Sequence, residues 1–214
     1  TFDPTCVIHC AGVCDLDLCE ERTDWAHDIN VNGMKTITDV FGDRCRIVYM
    51  STDLVFSGEK PPEQGYAENH TPDPVSIAGE TFYKAEQVLQ EFDDTCIVRL
   101  GLPLGDSITG DKGAIDWIKS RLLNHRTVTL FYDELRSCVW CEQIADMIEP
   151  LLSLQLNGLY HFGGNRPWQL YEIGQYVRDK YQIPKHLLKG IYRHEEIDGP
   201  PRLGNAAMNC TKLK

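Results

Sequence analysis

The chain has little positive charge and no long apolar run. Its 21 Lys and Arg face 32 Asp and Glu, for a formal net charge of −11. An acidic balance of that size favours solubility and repels a phosphate backbone or an anionic bilayer. Neither nucleic acid nor membrane is therefore expected as the main partner. No apolar stretch approaches membrane-spanning length. Disulfide signals are weak too. The nine cysteines are odd in number, and several sit inside apolar runs such as "TCVIHC" and "TCIVRL". They read as small buried hydrophobes in a reducing, cytoplasmic setting. "CVWC" (Cys138, Cys141) is the sole C-x-x-C, and no second pair stands at zinc-ligand spacing, so no metal is expected. The plainer reading of that pair is a strand-to-helix junction, with a redox pair as the alternative.

What is present is ordinary globular material: 214 residues, 42% hydrophobic and 25% charged, enough to bury a real core. Short apolar runs at 6–10, 46–50, 96–100, 128–132 and 159–162 read as strands apolar on both faces. That pattern suits a parallel sheet covered by helices on both sides. Helical patterns lie near 23–41, 78–92, 113–124, 140–154 and 168–181. Thr23 is the expected N-cap of the first, and Gly42 its stop. The alternation predicts an α/β, doubly wound Rossmann-type sheet. The segment 58–74 is a long Pro/Gly/polar loop, of the kind that usually carries function.

At "YMSTDLVFSGEKPP" the chain resembles an extended short-chain dehydrogenase/reductase, and within that group the dTDP-4-dehydrorhamnose reductase branch. "VIHCAG" (7–12), "INVNG" (29–33), "STDLVFSG" (51–58), "VRLGLPLG" (98–105), "GLYHFGG" (158–164) and "PPRLGNAAMNCTKL" (200–213) follow the order of that pattern across nearly the whole chain. The resemblance implies several roles. Thr52 would hydrogen-bond a substrate carbonyl. Asn30 would hold helix geometry and a relay water. Ala11, Gly12, Ser51, Leu102 and Pro103 would line the ribose and nicotinamide of an NAD(P) cofactor. Asp53 and Phe56 would flank the substrate cleft. Plainer roles compete: a threonine at a strand's end often caps, and an asparagine in a helix often bonds backbone.

The same resemblance exposes two gaps. The reductive chemistry needs a tyrosine to protonate the carbonyl and a lysine four residues on, sharing one helix face. Aligned from Pro74 to Glu86, those places hold Ala78 and Phe82. Tyr83 lies about 100° around the helix from residue 82 and Lys84 about 200°, so neither is expected to face the site. A two-residue slip would offer Lys84 and Glu80, whose ordinary pKa of about 4.3 makes it the wrong acid. The second gap is the glycine-rich phosphate loop of a first strand–helix unit, absent from these residues. By the family's order the chain opens at the fourth strand, with roughly two units of about 30 residues missing. Both ends are expected to be cut from a longer protein. The strand at 6–10 would then show an apolar edge, covered by the rest of the polypeptide or by a partner chain.

The expected layout is the C-terminal part of a Rossmann NAD(P)-binding domain over 1–105. Remaining Rossmann elements and a smaller substrate lobe fill 106–214, with the 58–74 loop contributing. For a nucleotide-sugar ligand, Arg121, Arg126 and Arg202 are candidate diphosphate partners, and Trp117 and Tyr132 candidate stacking groups. The functional expectation is a catalytically impaired family member acting in ligand binding, regulation or assembly. An active NAD(P)-dependent sugar-nucleotide reductase or epimerase is the alternative. NAD(P) is the expected cofactor only if the glycine-rich loop exists upstream.

Overall fold

A computed structural model describes residues 3–110 and 113–213. Strand β1 (Cys6–His9) leads through helices α1 (Leu16–Glu21) and α2 (Thr23–His27) into a π-helical turn, Asp28–Asn32. Helix α3 (Gly33–Phe41) continues it to strand β2 (Arg46–Thr52). A short 3-10 turn, Asp53–Val55, and the long loop precede α4 (Ile77–Leu89). Strands β3 (Thr95–Leu100) and β4 (Pro103–Leu104), helix α5 (Gly113–Leu123), and strands β5 (Val128–Phe131), β6 (Leu135–Arg136) and β7 (Val139–Trp140) follow. The chain ends through α6 (Cys141–Ser153), β8 (Gly158–Phe162), β9 (Trp168–Gln169), α7 (Leu170–Lys180) and β10 (Leu188–Ile191).

The central sheet is parallel, in the order β1-β2-β3-β8. Strand period decides its two faces. Ile47, Tyr49 and Ile97 enter one core with Ala78, Phe82, Ala85 and Leu89 of α4. Val48, Met50, Cys96 and Val98 enter the other with Met147 and Leu151 of α6. Helices thus cover both faces, which is why these strands carry no polar alternation. β1 lies at the sheet's edge: among the described residues it pairs with β2 alone, and Ile8 is 38% exposed.

Several expectations need correction. The strand at 128–132 does not join this sheet. β5 pairs in parallel with β10, a strand the sequence did not announce, and α5 and α7 close a separate core around them. Thr23 does not cap the helical run. That run opens at Leu16, where Asp15 accepts the Leu18 N–H at 2.9 Å. Gly42 does end α3, but in right-handed helical conformation. What it provides is room, since a Cβ there would lie 2.3 Å from the Phe92 ring. The cysteines divide: Cys19, Cys96, Cys138 and Cys210 are buried, whereas Cys10, Cys14 and Cys141 are exposed. Of the stretch expected to lead into α5, Asp111 and Lys112 lie outside the described residues. Among the described residues no helix is long and apolar enough to cross a membrane.

Candidate functional site

Parallel strands bring their C-terminal ends to one edge of the sheet, the place where open α/β sheets hold ligands. β1 delivers the exposed turn Ala11–Gly12, β2 delivers Ser51 and Thr52, and β3 delivers Leu102 and Pro103 just beyond its end. α4 packs over this edge. Ser76 caps it, accepting the Gly79 N–H at 3.2 Å.

Ala78, Phe82 and Glu86 stand at successive four-residue steps of α4, a single stripe, and all three are buried. Ala78 offers only a methyl. The Phe82 ring lies on Gly12: a Cβ built there would be 2.7 Å from Phe82 Cζ. Tyr49 stacks behind Phe82 at 6.2 Å, and His9 behind Tyr49 at 5.5 Å. Burial raises the Tyr49 hydroxyl's pKa and lowers that of His9. Lys84 reaches outward to Glu80 at 2.6 Å, and Tyr83 packs half-buried against the core.

Glu86, one turn below Phe82, is wholly buried and fully engaged. It accepts Ser51 Oγ at 2.5 Å, Arg99 Nε at 2.9 Å and Arg99 Nη2 at 2.6 Å. Arg99 also lies over the Phe56 ring, 5.1 Å from its centroid. His161 Nδ1 is 2.9 Å from the Tyr66 carbonyl, so Nδ1 carries the proton and Nε2 faces Arg99 Nη1 at 3.5 Å. Burial, with Arg99 acting in the same direction, pushes the His161 pKa down to about 4, leaving it neutral. The network ties β2, α4, β3, β8 and the long loop together.

Asn30 sits on the π-helical turn. Its Oδ1 accepts the Val13 N–H at 2.8 Å. Its Nδ2 donates to the Val13 carbonyl at 2.9 Å and to Thr81 Oγ1 at 2.8 Å. The Thr52 hydroxyl accepts the Leu54 N–H at 3.2 Å, capping the 3-10 turn, and lies 3.4 Å from Asp53 Oδ1. Thr52 itself is half-buried.

Asp53 is buried and receives a two-pronged contact from Arg136, with Nε at 2.8 Å. Arg136 also approaches Glu134 at 3.5 Å, and Glu134 accepts Arg202 Nη1 at 3.2 Å. Burial raises the Glu134 pKa, and the Asp53 and Glu134 carboxylates raise that of Arg136. Arg202 stacks on Phe131 and borders a cavity of about 540 Å³, together with Glu59, Asp133, Arg193 and Pro201. The structure therefore links Arg202 to Asp53 through two buried charges rather than setting it at the strand ends. Arg121 and Trp117 pair with each other on α5, Arg126 is exposed, and Tyr132 packs on Tyr171 and Tyr192. None of these four joins the cleft.

Cys138 and Cys141 bracket β7 and open α6, a strand-to-helix junction. Burial pushes the Cys138 thiol up to about 12, far from a reactive thiolate. Among the described residues no three His, Cys, Asp or Glu side chains gather at metal-binding distance.

The sequence reading named neither Arg99 nor His161, and used Glu86 only as the end of an alignment. Arg99 and His161 each interrupt an apolar strand run, and Glu86 interrupts the buried stripe of α4. A charge in such a run must find a counter-charge, and that signal was available.

A parallel sheet in the order β1-β2-β3-β8, covered by helices on both faces, is a Rossmann-type α/β fold. The chain belongs to the RmlD substrate binding domain family, whose model matches residues 1–214. That is an NAD(P)-binding, dTDP-4-dehydrorhamnose reductase-like family with oxidoreductase neighbours. The chain is 26% identical to the methionine adenosyltransferase 2 subunit beta of Xenopus laevis, over 100% of its own length and 65% of that protein's. It is 29% identical, over 75% of its length and 54% of the relative's, to a probable low-salt glycan biosynthesis reductase of Haloferax volcanii. Among solved structures, the dTDP-4-dehydrorhamnose reductase of Bacillus anthracis, in complex with NADP, superposes with a TM-score of 0.87 at 23% identity. That match covers 99% of this chain and 74% of the other. The chain thus spans about 65% of the first curated relatives it matches.

The side chains at Gly12 do not fit the ribose that the family's cofactor would place there. Phe82 occupies the side of Gly12 toward which a Cβ would point, while the rest of Gly12 stays exposed, and both N–H donors of Asn30 are taken.

Proposed function

We propose that this chain comes from a catalytically impaired member of the family that works through ligand binding, regulation or assembly. The observation that carries the reading is the pair Ala78 and Phe82, buried one turn apart where the resemblance expects the tyrosine and its lysine. A methyl and a benzyl group hold no transferable proton, and general acid catalysis is typically worth about 10²–10⁴-fold in rate. The relatives support a subunit role, since several are named as the beta subunit of methionine adenosyltransferase 2. On that analogy the protein acts beside a partner chain. The free edge of β1 would be covered by the rest of the same polypeptide, with a separate chain as the second choice. Dinucleotide binding by the complete protein would rest on a glycine-rich loop outside these residues.

A second reading, an active sugar-nucleotide reductase or epimerase, is favoured by Thr52 at the end of β2 and by Arg202 at the lobe cavity. The two separate in one assay. The complete protein is mixed with NADPH and a 4-keto sugar nucleotide, and the loss of NADPH absorbance is followed. No turnover above background is expected. Turnover that Thr52→Ala abolishes would overturn the first reading.

A further inference from the structure

We propose that Phe82 is a specificity-determining residue that shuts the cleft to the ribose–nicotinamide end of a dinucleotide. The proposal builds on the non-catalytic reading above, but its test is binding rather than turnover, so each can fail alone.

The closure is structural rather than one choice among free rotamers. The Phe82 ring sits where a Cβ on Gly12 would fall, 2.7 Å from Cζ and 3.4 Å from Cε1, so no layer of ligand atoms fits between ring and backbone. Retreat is blocked by Tyr49, stacked at 6.2 Å and 1% exposed, with buried Ala78 and Ala85 on either side along α4. The opposite wall is itself held by a clamp. Asn30 holds the Val13 backbone through both its N–H and its carbonyl, and the same amide bonds Thr81, the residue before Phe82. The β1 turn and α4 are thus pinned to each other with the ring between them.

Chemistry agrees with shape. A ribose diol entering this place would need hydrogen-bond partners, because a buried unpaired hydroxyl costs its full desolvation. The side-chain atoms nearest a Cβ at Gly12 are the Phe82 ring and, at 3.3 Å, Asn30 Oδ1, which already accepts the Val13 N–H. Both N–H donors of the Asn30 amide are committed, and the Thr81 hydroxyl already donates to the Ile77 and Ala78 carbonyls. With the lysine's place held by a benzyl group, no free donor is left for the diol, and shape supplies the larger share of the exclusion.

The test uses the complete protein and two probes: NADPH, and 2′,5′-ADP, which carries the adenosine end alone. Titration calorimetry gives the affinities, and energy transfer from protein tryptophan to the reduced nicotinamide reports its seating. For the natural protein, NADPH is expected to bind no tighter than 2′,5′-ADP, including the case where neither binds, with no nicotinamide signal. Phe82→Lys, and separately Phe82→Ala, should favour NADPH over 2′,5′-ADP by at least tenfold, with unchanged melting behaviour showing that one or both fold. Natural protein that prefers NADPH tenfold, or folded variants that gain nothing, overturns the assignment.

Discussion

The upper and lower halves of one helical stripe make opposite use of the same face. At the mouth of the cleft, Ala78 and Phe82 present only carbon. One turn further along α4, Glu86 holds a fully satisfied charge among Ser51 and Arg99. Both halves are buried, so burial alone does not explain the difference. Carbon at positions 78 and 82 leaves nothing stranded, because a methyl and an aromatic ring are buried without needing polar partners. Replacing Glu86 would strand Arg99 beneath the sheet's edge, where an unpaired charge is costly. Catalytic chemistry can therefore disappear from such a fold while the ionic framework below it stays.

The sharpest way to break that contrast is Arg99→Met in the complete protein. It leaves Glu86 buried with one remaining donor, and a loss of about 3–5 kcal/mol is expected in urea unfolding. Adding Glu86→Leu should recover much of it. A single-variant loss below about 1 kcal/mol would mean the network is ornamental.

Next in size is the pH dependence carried by His161. Its pKa is lowered from 6.5 to about 4 in the folded chain, so the unfolded chain takes up a proton first as pH falls. Stability is fully present above 6.5 and declines as pH drops toward 4, by on the order of 3 kcal/mol. His161→Gln should flatten that part of the stability profile. An unchanged slope would show that other groups carry it.

The smallest expected effect belongs to the mouth. Thr81→Val keeps shape but removes the acceptor of Asn30 Nδ2, for an expected loss of about 1–3 kcal/mol. If Phe82 is pinned by this clamp, hydrogen exchange at Gly12 and Val13 should rise in the variant. Unchanged exchange would show that ring stacking alone holds the turn.

Much of the fold was legible in the residues. The runs "RIVYM" and "CIVRL" are apolar at every step, and a strand with two covered faces accounts for both. β5 was legible as a strand but not in its sheet, because its partner "LKGI" sets Lys189 and Gly190 side by side between two apolar residues and is only four residues long. The absence of tyrosine and lysine from the stripe of α4 was readable once the resemblance marked positions 78 and 82, and helix period then put both on one face. What Phe82 does there was not, since a benzyl group can line a cavity, point to solvent or lie on a glycine. Asn30 shows the same limit. Its helical place could be read, but its bonds to Val13 and Thr81 join residues 17 and 51 positions away.

By itself the sequence determined the alternation of the central-sheet strands with their helices, the family pattern, and which side chains share a face, because backbone period acts over a few residues. Only the tertiary structure decided that Arg99 answers Glu86, that Arg136 answers Asp53 across 83 positions, and that Phe82 covers Gly12. Those pairings depend on which elements meet in space, and chain separation gives local rules no hold on that.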